Sequence, residues 1–274
     1  MAKINIFDVI KLLFNPDVSK KLILQIAFQQ IKAVGVAKIL SAALGRAVVA
    51  GASVVKVPQI RKVLENDSLD KKVAVVKGLS LEGISLELFD ALVHASYNIQ
   101  NGNAFVTYGE SSLIGVQNVA LVLLVQYFRI RGKLAAASSL SEREQIQAAL
   151  VELYKPLGII IGSAVFLTKV APSPLVSFLQ ILKIPMSVSA RLLQIKQNHT
   201  IKSASHLSDI TVGANTLGSL IRVFTTLSDF RSLNNDYVLL TGYSCSFLTN
   251  AALAAQCYYY KNIHKDKSEK DKQE

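Results

Sequence analysis

Apolar residues along this chain gather in blocks much longer than a soluble helix or strand needs, with the polar residues collected between them. Two blocks, 111–128 and 237–260, contain no charge at all and are long enough for a helix to cross the hydrocarbon of a bilayer. Five more, at about 38–60, 78–97, 149–170, 174–195 and 207–226, have the same character but are interrupted by charges. A central charge opposes insertion by about 2.5–3.5 kcal/mol, and a large apolar residue favours it by about 0.3–0.6 kcal/mol. Some ten apolar residues therefore offset one charge. These five spans are expected to insert beside neighbours, with their polar groups turned to a bundle interior or a water-filled cavity. The pattern predicts an all-α membrane protein with seven transmembrane helices. The block ending in Tyr258, Tyr259 and Tyr260, followed by Lys261, has the form of an interfacial anchor.

The connecting segments set an orientation. Basic residues fill alternate loops: Arg61, Lys62, Lys71, Lys72 and Lys77 in the first, Arg129, Arg131, Lys133 and Arg143 in the third, Lys196 and Lys202 in the fifth. Segment 98–108 has no Lys or Arg, and 228–236 has only Arg231. By the positive-inside rule the basic loops and the tail from Lys261 onward are cytosolic. The basic N-terminal segment, 1–37, runs against this parity, and 18–36 is read as an interfacial amphipathic helix. No cleavable signal sequence is read, so the first span is expected to act as the targeting signal.

Composition agrees. Of 274 residues, 51% are hydrophobic and only 18% charged, with a net charge of +11 and a mean hydropathy of +0.36. That balance argues against a soluble enzyme and against disorder. The charge sits between apolar blocks rather than on an aromatic-interleaved surface, which excludes nucleic acid as the partner and leaves the lipid bilayer. Cys245 and Cys257 share one apolar block; about 18 Å apart along a helix, they are packing residues, not a disulfide. No metal spacing, Gly-rich phosphate loop or nucleophile elbow is present, so no metal, cofactor or enzymatic activity is expected. His94 and His206 have no partner pattern.

The chain also repeats itself. Val57-Pro58-Gln59-Ile60 is followed by a basic loop and then Gly78-Leu79-Ser80-Leu81; Leu193-Gln194-Ile195 is followed by a basic loop and then His206-Leu207-Ser208. One spare span separates the copies. The organisation read from this is an N-terminal segment (1–37), a first triple-helix bundle (38–130), a cytosolic loop and linker helix (131–172), a second, parallel triple-helix bundle (173–260) and a basic tail (261–274). Proline inside a helix removes a hydrogen bond and frees a carbonyl; in lipid that carbonyl must be satisfied, and the amide of Gln59 can do so. Pro58 and Gln59 are therefore a candidate hinge, and Gln194 its counterpart.

These residues carry a resemblance. The stretches KILSAALG (38–45), VAGASVVKVPQIRKVL (49–64), GLSL (78–81), LEL (86–88), TYGE (107–110), VQNVALVLLV (116–125), IPMSVSARLLQ (184–194), LSDITV (207–212), GSLIRVFTTL (218–227) and LTNAALAAQ (248–256) run in order as they do in the PQ-loop family. Within that family they resemble the branch serving the use of dolichol-linked sugars. Two departures stand out. The first basic loop is longer than the family pattern, with Gly78-Leu79-Ser80-Leu81 taken as the match over Glu82-Gly83-Ile84-Ser85. Leu193-Gln194 replaces Pro-Gln, so Pro185, in mid-span, is the alternative kink.

Five polar residues inside spans are candidate cavity residues. Glu87 needs a partner in the membrane, and Arg222 or Lys56 can supply it, either as a structural ion pair or beside a substrate. Asp90 lies one turn on, near the same face. Gln117 and Asn250 fall in the resembling stretches and serve either as interhelical amides or as cavity lining. Glu110 is expected to cap the start of its span. Lys270 and Lys272 resemble a cytosolic lysine signal for retrieval to the endoplasmic reticulum. The sequons at Asn66 and Asn198 fall in cytosolic loops and are expected to stay unglycosylated.

The resemblance implies a multi-pass protein of the endoplasmic reticulum membrane, C-terminus cytosolic, needed for use of dolichol-phosphate mannose and glucose in N-glycan and GPI-anchor assembly. It would move or present the lipid-linked sugar rather than transfer it. The alternatives are a carrier of a small sugar or amino acid by alternating access, and an assembly factor for a dolichol-dependent glycosyltransferase.

Overall fold

The computed structural model describes residues 35–137, 140–202 and 209–270, with isolated positions 19, 21, 25 and 29. Most of the N-terminal segment, His206 and Lys272 lie outside the described residues. Among the described residues there are helices and no strand. In chain order they are α1 (Val36–Ala52), α2 (Val57–Leu64), α3 (Leu69–Lys77), α4 (Leu81–Gln100), α5 (Phe105–Ala137), α6 (Glu142–Glu152), α7 (Tyr154–Val165) running into a π turn (Phe166–Val170), α8 (Ser173–Ile201), α9 (Asp209–Ser228) and α10 (Tyr237–Lys270).

Five stretches are long and apolar enough to cross a membrane: Val36–Leu64, Phe105–Ala136, Glu142–Val170, Ser173–Ile201 and Tyr237–Tyr260. Helices α4 and α9, of 20 residues each, match expected spans in position but fall outside this set because they are more polar. The exterior is apolar, with Ile39, Phe178, Ile181, Met186, Leu193 and Leu248 all exposed. The interior holds Ser41, His94, Asn98, Gln117, Asn118, Gln180, Arg222 and Asn250. In water this inversion would be costly on both counts; in lipid it is what the solvent demands.

The packing repeats. Helix α5 lies against both α1 and α4, and α10 lies against both α8 and α9. In each trio the third helix of the chain is thus in the middle. The trios meet through α1 with α9 and through α4 with α8. Close approach depends on small residues. A Cβ on Gly115 of α5 would sit 3.2 Å from the Cβ of Ala91 on α4, a neighbour with no rotamer to retreat into. Gly115→Val is expected to destabilise the fold by about 1–3 kcal/mol through overpacking, measured by denaturant titration in mixed micelles.

The long first loop is built from short elements. The Ser68 side chain accepts from Lys71 N and caps α3, which packs on α5. Ser80 accepts from Gly83 N at 3.0 Å and caps α4, where the Leu-Ser start at 79–80 was expected. The α6–α7 rod is peripheral, with no buried residue in α7. It docks at one end through α6 on α5, where Ala149 is buried, and at the other through the π turn, whose Leu167 is buried. Gln100 at the end of α4 donates to Leu167 O and Ala171 O at 2.9 and 3.0 Å. At the same end of the molecule the 229–236 loop turns tightly, Asn234 and Asn235 taking left-handed backbone, which asparagine tolerates well.

Candidate functional site

Four helices each present a polar stripe at i+3 or i+4 spacing. They are Asp90–His94 on α4, Gln180–Lys183–Ser187–Arg191 on α8, Asn215–Ser219–Arg222 on α9 and Tyr243–Ser246–Asn250 on α10. All line one cavity of about 410 Å³ between the trios, closed on the α5 side by Glu110 and Ser111. Two ion pairs cross it. Lys183 Nζ lies 2.9 Å from Asp90 Oδ1 and donates to Asp90 O at 3.1 Å, joining α8 to α4. Arg222 donates from Nε and Nη2 to Glu110 Oε2 at 2.9 and 2.6 Å and from Nη1 to Val106 O, joining α9 to α5. Three cations against two carboxylates line the space, so the cavity is polar with a cationic excess.

Its floor is a hydrogen-bonded layer around the buried imidazole of His94. Gln180 Nε2 donates to His94 Nδ1 at 3.1 Å. His94 Nε2 lies 3.2 Å from the Tyr243 hydroxyl and 3.4 Å from Asn98 Nδ2. Gln180 Oε1 is buried and has no hydrogen-bond partner. Beyond this layer is a second cavity of about 250 Å³, lined by Ser41, Gly45, Thr107, Thr225 and Asp229. Arg222 and Tyr243 line both spaces and so form the partition between them. The far end is pinned by Ser41 Oγ to Asp229 at 3.1 Å and by Tyr97 Oη to Asp236 at 2.9 Å.

The structure distributes the expected site residues unevenly. Asp90, Arg222 and Asn250 line the cavity. Glu87 does not; it pairs with Lys56 at 2.6 Å, accepts from Asn118, and lines a neighbouring cleft. Of its two candidate partners Lys56 is the real one, because Arg222 is held by Glu110. That also corrects Glu110. Helix α5 begins at Phe105, so Glu110 stands more than a turn inside and is an ion-pair partner, not a cap.

The surroundings of Pro58 and Gln59 differ from those expected. Helix α1 ends at Ala52 and α2 starts at Val57, which puts Pro58 in the first turn of a new helix, where its missing N–H costs nothing. The amide that satisfies the broken backbone is Gln117, not Gln59. Gln117 Oε1 accepts from Lys56 N at 2.8 Å, and its Nε2 donates to Ala52 O and Leu113 O at 2.8 Å each. Gln117 is not among the residues that line the central cavity. In the second trio α8 runs unbroken through both Leu193–Gln194 and Pro185; Gln194 accepts from Arg191. Sequon residue Asn198 is fully buried and donates to Gln256. Lys270 is the last residue of α10.

His94 and Gln180 were missed because neither sits in a motif. Their signal was the helical spacing of polar residues on α4 and α8, legible only once the two faces are known to meet.

Apolar outside and polar within, this is a helical protein of the multi-pass membrane class. Residues 175–235, covering most of α8, all of α9 and the loop beyond, match the PQ loop repeat family. The match falls on the copy that reads Leu193-Gln194, not on the one that reads Pro58-Gln59. No solved structure matches the chain.

Proposed function

We propose that the chain is a PQ-loop protein throughout. On this reading it crosses the membrane seven times as two parallel trios, α1–α2/α4/α5 and α8/α9/α10, joined by the α6–α7 rod. The repeated third-in-the-middle packing of the trios supports this. The central cavity is the working site, and the observation that carries it is the pairing of Lys183 with Asp90 and Arg222 with Glu110 across a polar space between the trios. Intramembrane charges so placed belong to substrate pathways. The cationic excess suits a substrate with a phosphate.

The ordered stretches between residues 38 and 256 resemble, within the family, the mannose-P-dolichol utilization defect 1 protein. By that resemblance the protein sits in the endoplasmic reticulum membrane with its tail in the cytosol. It serves the use of dolichol-phosphate mannose and glucose by moving or presenting the lipid-linked sugar, without catalysing transfer. Deleting the gene in its native cells is expected to leave dolichol-phosphate mannose unused and N-glycans and GPI anchors incomplete. Normal glycosylation in such cells, with the lipid donor present, overturns this function.

A second reading, a carrier of a small soluble sugar or amino acid, is favoured by the two cavities separated by the Arg222–Tyr243 partition, the arrangement alternating access requires. Uptake of a free solute by vesicles of purified protein selects it.

A further inference from the structure

Beside the polar cavity, between α4 and α8, lies a larger cleft of about 630 Å³. Its walls are mostly apolar, formed by Leu86, Phe89, Leu179, Leu182 and Met186, with the Lys56–Glu87 ion pair also in the lining, and Leu86, Phe89, Leu182 and Met186 are exposed on the outer surface. The cleft and the polar cavity share four lining residues: Asp90, Ser111, Lys183 and Ser187. The seam between the trios is thus apolar at its lipid-facing side and polar at its inner side, with the Lys183–Asp90 pair at the junction.

We propose that this seam is a lateral portal for a phosphate-bearing lipid. Its hydrocarbon chain lies in the α4/α8 cleft, the phosphate sits at Lys183, and the polar head occupies the central cavity within reach of Arg222. The inference rests on the central cavity being the working site and adds how its ligand arrives. The physical reason is solvation. A hydrocarbon chain gains nothing by leaving lipid for an apolar groove, so the cleft does not create affinity by itself. It lets the chain remain in hydrocarbon while the head enters a polar space, which a closed α4/α8 seam would forbid. Lys183 supplies the charge complementarity, since a phosphate oxygen can replace the Asp90 carboxylate as its partner. A free phosphate needs no such cleft.

The test is equilibrium binding of undecaprenyl phosphate, undecaprenol and inorganic phosphate to the full-length protein in phosphatidylcholine nanodiscs. The lipid phosphate is expected to bind and to exclude a second copy of itself, with the alcohol weaker by about tenfold or more for want of charge-assisted bonds. Met186→Trp, on the lipid-facing wall, is expected to weaken the lipid phosphate about tenfold by filling the cleft while leaving inorganic phosphate unchanged. Lys183→Gln should weaken both phosphates. Unchanged lipid-phosphate binding by Met186→Trp overturns the portal, as does inorganic phosphate binding as tightly as the lipid; either result leaves the central cavity standing. Equal binding of the alcohol and the lipid phosphate removes Lys183 as the anchor and overturns the proposal as well. If Arg222→Gln changes no ligand's binding while Met186→Trp does, the cavity reading fails and the cleft alone is the site.

Discussion

Arg222→Met is expected to cost about 3 kcal/mol, the lower end for breaking a buried ion pair, because Glu110 keeps about a third of its side-chain surface open (36% against 8% for Arg222). The loss should appear as an earlier midpoint in denaturant titration of the protein in mixed micelles. Two changes act together in the single variant: α9 loses its link to α5, and a carboxylate is left without its cation. The double variant Arg222→Met with Glu110→Gln removes the second effect. It is expected to recover most of the stability, since a neutral pair of similar size carries no uncompensated charge. Function separates the two roles Arg222 could have. If the guanidinium only staples α9 to α5, the double variant regains function along with stability. If it also faces the ligand, as its place in the partition implies, the double variant stays folded and inactive. A double variant as unstable as the single one shows that the pair is not the source of the loss.

Gln117→Leu is expected to cost at least as much, about 2–6 kcal/mol, from leaving Lys56 N–H and Ala52 C=O without partners at about 1–3 kcal/mol each. Both groups lie at the break between α1 and α2, and Gln117 is the side chain that joins them. Gln59→Leu, beside the proline, is expected to change stability by less than about 1 kcal/mol, the scale of an ordinary net hydrogen bond at most. The same titration compares them. Equal losses from the two substitutions would return the role to Gln59. A proline inside a helix suggests a local remedy, and the sequence offers one in the adjacent glutamine. The chain instead ends the helix before the proline and brings the remedy from α5, 58 positions later by the numbering of Gln59 and Gln117.

That difference marks how far the sequence could be read. Periodicity and hydropathy see one segment at a time, so the long rods were legible, α5, α8 and α10 among them. So was the cap at Ser80, whose serine lies directly before the helix it starts. Partners of buried charges are not local. Glu87 had two candidate cations and Glu110 had none, because nothing along the chain says that α9 sits against α1 and α5 while Lys56 sits against α4. The polar stripe of α8 was present in the sequence as Gln180, Lys183, Ser187 and Arg191, yet it acquires meaning only opposite Asp90 and His94.

The sequence by itself determined that the protein is helical and that its apolar faces must meet lipid. Backbone groups in hydrocarbon have to be satisfied within their own segment, and the charge-free blocks 111–128 and 237–260 are long and apolar enough to decide this alone. Tertiary structure decided which polar groups meet: the Arg222–Glu110 and Lys183–Asp90 pairs, the Gln117 bridge, the His94 layer and the cavity they enclose. Those contacts join residues far apart in the chain, and their energies exist only once helices from both trios are packed side by side.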